Sequence, residues 1–159
     1  MRIVWQGGVA SAPGKPSPGV FPDNFIHLGG DEVDTSCWQT TPSVSSWLSA
    51  QNMTADDAYA YFAKRVSGIA IKQGHRPVQW SEVYDHFHNT LPKQTIIHIW
   101  KSVTNVSAPL AGGYNVILNV GYNHLSWYLD NTATDWAHVY LNEPCCGVPD
   151  ELCPMILGE

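Results

Sequence analysis

Short apolar runs alternate along the chain with stretches of helical periodicity, and this alternation limits the possible folds more than any other feature. The apolar runs are Phe25 to Leu28, Pro77 to Trp80, Thr95 to Trp100, and Asn115 to Val120. They lack the apolar–polar alternation of half-exposed strands, so we expect them to be buried on both faces. Strands and helices in this order predict an α/β fold, in which a parallel sheet is covered by helices.

Two kinds of start signal mark the helices between these strands. Pro42 follows Thr41 as a first-turn residue, and Thr54 with Asp57 forms a capping-box pattern. The predicted helices run from Pro42 to Gln51, from Thr54 to about Gly74, from Ser81 to about Phe87, and from about Val106 to Ala111. In the second of these, the residues predicted to form the apolar face are Tyr61, Phe62, Val66, Ile69 and Ala70.

Polar and aromatic residues follow the carboxyl ends of the predicted strands. In chain order they are Asp31 and Glu32, then Trp80 and Glu82, then Trp100, then the stretch from Asn119 to Asp130. A barrel gathers such ends around one mouth, so this distribution favours a barrel over an open doubly wound sheet. A complete (β/α)8 barrel needs about 250 residues. Four strands, with a fifth starting at Met155, therefore predict a partial TIM barrel.

The stretch FIHLGGDEV, from Phe25 to Val33, runs from an apolar strand through two glycines into adjacent carboxylates, Asp31 and Glu32. Neighbouring side chains of a regular strand face opposite sides, so both acids can serve one site only if the glycines bend the backbone. Two carboxylates held close together repel each other when charged, which suits one of them to donate a proton. A surface turn with solvated acids is the alternative interpretation.

Composition excludes several kinds of partner. With 159 residues, 44% hydrophobic content and 14% charged residues, the chain is long enough for one globular core. A formal net charge of −6 and the lack of a Lys/Arg cluster argue against nucleic acid or an anionic membrane as a partner. No apolar run is long enough to span a bilayer. Residues 1–19 are predicted to be irregular coil, with an apolar stretch too short for a secretory signal.

The cysteines lack the paired spacing of a zinc site. In an oxidising compartment we expect a disulfide among Cys145, Cys146 and Cys153, with the pairing left open. The glycosylation sequons at Asn52 and Asn105 are compatible with passage through the secretory route.

Four motifs together resemble one family. HLGGDEV followed by Cys37-Trp38, VQWSEV at 78–83, HIWK at 98–101 and WYLD at 127–130 resemble the family 20 glycoside hydrolases, the β-N-acetylhexosaminidases of lysosomal type. The resemblance runs in order from about Val20 to Glu159, which implies that residues 20–159 are a partial catalytic barrel, roughly strands 4 to 8 with their helices.

The resemblance implies removal of terminal, non-reducing β-linked N-acetylhexosamine with retention of configuration. The substrate's own acetamido oxygen would attack the anomeric carbon, which makes the family an exception to the ordinary two-carboxylate scheme. Glu32 would protonate the leaving oxygen and later activate water. Asp31 would stay ionised and stabilise the acetamido group as positive charge develops on it.

The resemblance also implies a set of sugar contacts. Trp80 and Trp100 would form aromatic walls around the N-acetyl group, and without the family match core packing would be the preferred reading of both. Tyr128 would bond the acetamido oxygen, and Asp130 would receive sugar hydroxyls, although a loop aromatic cluster with one solvated acid fits the same motif. His27 would have a supporting role. No cofactor and no metal are implied.

The expected partners are glycans ending in N-acetylglucosamine or N-acetylgalactosamine, with a homodimer possible in the full-length family and a lysosomal or extracellular location. Family members also carry an upstream arginine and a downstream Trp-Gly-Glu segment that bind the sugar. Neither segment is matched in these 159 residues, so we expect an excerpt or an incomplete product. The cysteine that would pair with Cys37 is likewise expected upstream.

Other interpretations predict different behaviour. A carbohydrate-binding pseudoenzyme fragment would bind the sugar without turnover, and a half-barrel would work only when paired with another chain. A metal-dependent hydrolase would use His27 with Asp31 and Glu32. The spacing of His86 and His88 is also typical of metal ligands, but an exposed helix end is the favoured interpretation.

Overall fold

The structure, a computed structural model, describes residues 23–101, 105–119, 136–141 and 143–158. Its sheet consists of the strands β1 (Phe25–His27), β2 (Arg76–Trp80), β3 (Ile96–Ile99) and β4 (Asn115–Leu118). All neighbouring strands pair in parallel, in the order β1-β2-β3-β4. The predicted α/β fold with a parallel sheet is confirmed. The consecutive strand order lacks the reversal that defines a doubly wound sheet.

Helices connect and cover the described strands. They are α1 (Ser36–Thr40), α2 (Pro42–Gln51), α3 (Ala55–Lys72), α4 (Ser81–Phe87), α5 (Ser107–Ala111) and α6 (Trp136–Leu141), with single 3-10 turns at His88–Thr90 and Cys153–Met155. The predictions for α2 and α4 match their observed bounds, and α5 begins one residue later than predicted. None of the described helices is both long and apolar enough to cross a membrane.

The longest helix, α3, begins at the predicted capping box. The Asp57 backbone N–H donates to the Thr54 hydroxyl, and the Thr54 backbone N–H donates in return to the Asp57 carboxylate at 2.9 Å. This exchange satisfies two backbone donors that have no partner within the helix. At the other end the chain leaves the helix through Gly74, whose φ of 85° suits glycine.

The predicted apolar face of α3 is wrong at its first two positions, because Tyr61 and Phe62 are exposed. The helix instead buries a face of mostly small side chains: Ala55, Ala58, Tyr59, Ala63, Ser67 and Ala70. Small residues allow the helix to approach the sheet closely. Hydrophobicity alone therefore misplaced the amino-terminal part of the buried face, whereas the predicted Ala70 is buried.

The two faces of the sheet have different neighbours. Ile97, Ile99, Val116 and Leu118 pack with Tyr59 of α3 and Val83 of α4 in the main hydrophobic core. Because side chains alternate along a strand, the opposite face carries His27 from β1, Trp80 from β2 and His98 from β3. Trp80 and His98 are direct partners in the strand register. The sheet thus presents its aromatic residues on the side away from the core helices.

The segment from residue 143 to 158 closes the free edge of β4. Ile156 forms a single parallel bridge with Val116, and backbone N–H groups of Leu157 and Leu118 donate to Val116 and Gly158 respectively. The fifth strand predicted from Met155 is therefore reduced to this bridge. Met155 itself belongs to the 3-10 turn at Cys153–Met155, so extended backbone begins only at Ile156.

The predicted disulfide lies in this segment and joins Cys145 to Cys153. Cys146 and Cys37 are free and exposed.

Two described helices were not predicted. Helix α1 has five residues, too few for a periodic pattern, and its start depends on the Asp34 carboxylate, which accepts a hydrogen bond from the Ser36 backbone N–H at 2.9 Å. Helix α6 has six residues. The coil predicted for residues 1–19 lies outside the described residues.

Candidate active site

The loop after β1 has an unusual backbone, and both of its acids, Asp31 and Glu32, are exposed. Gly29 and Gly30 have φ of 70° and 95°, and Glu32 has φ of 48°, in the left-handed region that non-glycine residues rarely adopt. A side chain at Gly30 would collide with Val83, because a Cβ placed there would lie 2.4 Å from the Val83 Cγ2 atom. The predicted departure from regular strand geometry is therefore present at these glycines.

Three hydrogen bonds hold this loop against its neighbours. The Tyr59 hydroxyl of α3 donates to the Gly30 carbonyl oxygen at 2.5 Å, and the Trp80 backbone N–H donates to the Gly29 carbonyl oxygen at 3.1 Å. The Gly29 backbone N–H donates to His27 Nδ1 at 3.1 Å. Contacts from β1, β2 and α3 thus fix the path of the chain immediately before Asp31.

Asp31 is exposed, and its charge acts on both His27 and Tyr59. Its carboxylate folds back toward the loop, since a Cβ at Gly29 would lie 3.8 Å from Asp31 Oδ1. Burial raises the pKa of the Tyr59 hydroxyl to about 12, and the negative charges of Glu82 and Asp31 add to this shift. The hydroxyl therefore stays protonated and remains a hydrogen-bond donor to the loop.

Four aromatic rings form one cluster beside this loop, which we call the aromatic wall: His27, Trp80, His98 and Trp100. Trp80 stacks on His98 with ring centroids 4.2 Å apart, and its centroid lies 4.8 Å from that of His27. Trp100 meets Trp80 edge-on, with centroids 6.1 Å apart and planes at 66°. Rings at these separations and angles attract one another beyond the effect of burial.

The two histidines of the wall share a hydrogen bond between His27 Nε2 and His98 Nδ1 at 3.1 Å. Because His27 Nδ1 accepts the Gly29 N–H, the His27 proton belongs on Nε2 and is donated to His98. Burial lowers the pKa of His27, and the nearby His98 lowers it further, while Asp31 acts in the opposite direction. Burial also lowers the pKa of His98, against a smaller effect of Asn119. Both rings are therefore neutral at neutral pH.

A buried carboxylate, Glu82, contacts the far side of the wall. It accepts hydrogen bonds from Trp100 Nε1 at 3.0 and 3.2 Å and pairs with the Lys101 ammonium at 2.7 Å. Burial by itself raises the pKa of Glu82, but the hydrogen bonds from Lys101 and Trp100 outweigh it and the pKa is lowered. Lys101 also lies over the Trp100 ring, 4.8 Å from its centroid.

The structure brings some of the predicted site residues together and leaves others without a described contact. His27, Trp80 and Trp100 share the aromatic wall, and the charge of the exposed Asp31 acts on its His27 ring. Glu32 follows on the exposed surface of the same loop. Tyr128 and Asp130 lie outside the described residues.

Sequence reasoning missed four residues that surround these groups: Tyr59, Glu82, His98 and Lys101. Glu82 was noticed only as a polar residue after β2, and His98 and Lys101 stood inside the HIWK motif without a role. No sequence pattern pointed to Tyr59, because the apolar face predicted for α3 did not include it.

Metal ligands do not cluster in the part of the chain that the structure describes, since it contains no group of three His, Cys, Asp or Glu side chains suited to an ion. Both ring nitrogens of His27 are engaged by protein atoms, which leaves no lone pair for a metal while these bonds persist. His86 and His88 are exposed at the end of α4, and His88 Nδ1 lies 3.2 Å from the Tyr84 carbonyl oxygen.

Comparison with known proteins gives consistent results. The sequence profile described as "Glycosyl hydrolase family 20, catalytic domain" matches residues 18–150. Beta-hexosaminidase 1 of Arabidopsis thaliana is 39% identical over 141 residues, covering 87% of this chain and 25% of the relative, and Beta-hexosaminidase 3 of the same plant is 36% identical, covering 83% and 24%. The chain thus spans about a quarter of the length of the curated relatives it matches.

The crystal structure of a chitobiase from Flavobacterium johnsoniae matches with a TM-score of 0.63 and 25% identity, covering 87% of this chain and 22% of that one. The agreement in fold covers 87% of the chain, the same share as the sequence match to Beta-hexosaminidase 1.

Proposed function

Because the chain belongs to glycosyl hydrolase family 20, we propose that it carries the acid pair and part of the sugar pocket that hydrolyse terminal, non-reducing β-linked N-acetylhexosamine residues. The observation that carries the proposal is the loop after β1. Its two left-handed glycines lead directly into Asp31, whose charge acts on the His27 ring of the aromatic wall. A carboxylate near two indoles is suited to binding a sugar that carries an amide.

In the proposed mechanism the substrate supplies the nucleophile. The acetamido oxygen attacks the anomeric carbon while Glu32 donates a proton to the leaving glycosidic oxygen, giving an oxazolinium-type intermediate. Water, deprotonated by the same carboxylate, then opens that ring with net retention of configuration. The exposed position of Glu32 leaves it accessible to both a leaving group and water.

Asp31 acts on the acetamido group in this proposal. As the acetamido oxygen forms its new bond, positive charge develops on the nitrogen, and a fixed carboxylate beside the N–H stabilises that charge without reorganising in the transition state. The bonds that hold Gly29 and Gly30 restrict the path of the backbone into Asp31 before substrate binds.

Trp80 and Trp100 supply orientation. Packed on two sides of the N-acetyl methyl, they would favour the conformer in which the acetamido oxygen faces the anomeric carbon. Holding the reacting atoms in this orientation would raise the rate of the attack. Tyr128 and Asp130 complete the proposed pocket by bonding the acetamido oxygen and the sugar hydroxyls, with His27 supporting the wall.

The consecutive parallel order of the four strands supports a related structural proposal. They would form an arc of a (β/α)8 barrel, within roughly strands 4 to 8 of the family fold, extending over residues 20–159. The Cys145–Cys153 disulfide supports a lysosomal or extracellular location, since such bonds persist in oxidising compartments.

A second candidate is sugar binding without turnover, in which this chain is a pseudoenzyme fragment. It is favoured by the exposed positions of Asp31 and Glu32, since the aromatic wall is the more completely built part of the site. The aromatic wall would still bind an N-acetylated sugar, because stacking does not depend on proton transfer.

One assay separates these functions. The purified chain is given an aryl N-acetyl-β-glucosaminide and, in parallel, the aryl β-glucoside that lacks the acetamido group. We expect hydrolysis of the first substrate only. Glu32→Gln should lower kcat/KM by about 10²- to 10⁴-fold and Asp31→Asn by about 10²- to 10³-fold, while the control Glu151→Gln, an exposed acid of the carboxyl-terminal segment, should leave it unchanged.

The outcomes are distinct. Equal hydrolysis of both substrates would contradict the neighbouring-group mechanism. Binding of an N-acetylglucosamine thiazoline, a mimic of the cyclic intermediate, without any hydrolysis would favour the second candidate. Loss of activity on adding a chelator would favour a metal-dependent hydrolase instead.

A further inference from the structure

Glu82 is a buried acid that the proposed mechanism does not use. It lies in the first turn of α4, directly after β2, and is 8% exposed. A buried carboxylate is costly unless it is paired and hydrogen-bonded. The adjacent Ser81 hydroxyl donates to Oε2 at 3.4 Å. The other partners follow β3, where Lys101 donates to Oε1 and the Trp100 indole N–H reaches both oxygens.

These contacts determine where the Trp100 indole can lie. The ring is held at its N–H by Glu82, on one face by the Lys101 ammonium at 4.8 Å, and at its edge by Trp80 at 6.1 Å between centroids. Of these partners, only Glu82 forms a directional bond to the indole. Rotation of the ring about its side-chain torsions would break that bond and leave a buried charge short of one donor, which is unfavourable.

The same carboxylate connects the two ends of the aromatic wall. Glu82 is two residues after Trp80 in the chain and bonds Trp100 through space, so the bond links the carboxyl end of β2 to that of β3. Parallel pairing fixes the backbones of these strands, with Trp80 in register with His98. Trp100 lies beyond the last paired residue of β3, so the position of its side chain depends on additional contacts. The hydrogen bonds to Glu82 provide them.

We propose that Glu82 is the positioning residue for Trp100, holding its indole at the angle that keeps the aromatic wall open to an N-acetyl group. The role in sugar recognition rests on the function proposed above. The hydrogen bond from the Trp100 indole to Glu82 does not depend on a bound sugar, so it is tested separately.

The substitution Glu82→Gln separates positioning from simple filling of space. A carboxylate accepts from Lys101 and from Trp100 at once, whereas an amide of the same size has a single acceptor oxygen and presents donors on its other side. The variant therefore replaces one of the two oxygens that the Trp100 indole N–H contacts with an NH2 group, and it removes the negative charge that pairs with Lys101. The exposed acid Glu151 provides the matched control, Glu151→Gln.

The first experiment needs no ligand. The indole N–H cross-peak of Trp100 is assigned in a ¹⁵N–¹H spectrum by its loss in Trp100→Phe, and its position is followed in the folded wild-type chain as the pH is lowered. We expect it to titrate with a carboxyl group below the ordinary value of 4.5 and to shift in Glu82→Gln but not in Glu151→Gln. A cross-peak that responds neither to the pH nor to Glu82→Gln would overturn the proposal.

The second experiment is a double-mutant cycle on the affinity for N-acetylglucosamine thiazoline, measured by calorimetry. Glu82→Gln should weaken binding about tenfold in the wild-type background, the expected effect of one hydrogen bond to a charged group. In the Trp100→Phe background, where the indole N–H is absent, the same change should have less than about a twofold effect. Equal effects in both backgrounds would mean that Glu82 acts on folding in general, and would overturn the proposal.

Failure of the proposed function is recognised separately. If the wild-type chain binds no thiazoline, the sugar pocket is wrong for this chain, and the spectrum still decides whether Glu82 holds the indole. If Glu82→Gln does not fold, the pH titration of the wild-type cross-peak gives the answer without the variant.

Discussion

Gly30 is the residue at which the loop after β1 has the least space. Its φ of 95° is unfavourable for any side chain, and a Cβ would lie 2.4 Å from Val83 Cγ2 in the core. We expect Gly30→Ala to lower the free energy of unfolding by about 2 to 4 kcal/mol, from strain together with overpacking. Urea denaturation measures the change.

Gly68 provides the matched control for this prediction. It lies inside α3, and no atom outside the helix backbone lies within 4 Å of a Cβ placed there. Gly68→Ala should raise the free energy of unfolding by about 0.5 to 1 kcal/mol, since alanine favours helix. Equal losses in the two variants would show that the crowding at Gly30 is not the cause.

The His27–His98 pair predicts a pH dependence of stability. Burial lowers the pKa of both rings, while Asp31 on one side and Asn119 on the other act to raise them. The unfolded chain therefore binds protons at a higher pH than the folded chain does. The stabilisation is complete above the ordinary value of 6.5 and is lost as the pH falls through the lowered values.

Urea denaturation between pH 7.5 and 5.5 tests this dependence, in a range above most carboxyl titrations. Wild type should lose stability across the range, and His98→Gln should lose less because one of the two protonations is removed. His88→Gln, a change at an exposed histidine of the helix end, should retain the wild-type dependence. A wild-type stability that rises toward pH 5.5 would contradict the assignment of two neutral rings.

At the scale of elements, α3 is tied to the site loop by one side chain. The Tyr59 hydroxyl donates to the Gly30 carbonyl oxygen, and its ring packs edge-on against Phe87 of α4 with centroids 4.7 Å apart. Removing only the hydroxyl keeps the ring packing in place but leaves the part-buried Gly30 carbonyl oxygen without its donor. We expect Tyr59→Phe to lower the free energy of unfolding by about 1 to 2 kcal/mol.

Activity should fall as well in Tyr59→Phe, because the loop before Asp31 loses an anchor. The control is Tyr61→Phe on the same helix, where the hydroxyl accepts from Arg65 on the exposed surface. That change should alter the free energy of unfolding by less than about 0.5 kcal/mol. If both variants lose activity equally, the anchoring role of Tyr59 is wrong.

The element predictions that succeeded depended on local chemistry. The capping box at Thr54, the first-turn Pro42 and the glycine-rich end of β1 each require particular residue types at particular spacings, whatever the remainder of the chain does. The face of α3 was missed for the opposite reason. Whether Tyr59 or Tyr61 is buried depends on how the helix is rotated against the sheet, and that rotation follows from packing small residues such as Ala63 and Ser67.

At the scale of the whole molecule, the carboxyl-terminal segment is held to the sheet by backbone bonds to β4 and by the Asn115 side chain, which donates to the Met155 carbonyl oxygen. The disulfide between Cys145 and Cys153 restricts the turns that lead into this segment. Because the loop it closes is short, the double variant Cys145→Ser with Cys153→Ser should lower the free energy of unfolding by about 2 to 3 kcal/mol.

Thermal denaturation followed by circular dichroism measures this loss, with Cys146→Ser as the matched control. Cys146 is adjacent in the chain but free and exposed, so its replacement should have little effect. A large loss in Cys146→Ser, or none in the double variant, would indicate that a different pair of cysteines is joined in solution.

The sequence by itself determined the identity and order of the strands, the starts of the main helices, and the position of Asp31 and Glu32 after two glycines. These features follow from side-chain periodicity and backbone preferences within a few residues. Only the tertiary structure decided which groups surround the acids, because His27 meets His98 across 71 positions and Trp100 meets Glu82 across 18. Those contacts depend on the register of β1, β2 and β3, and register is set by the packing of the whole sheet.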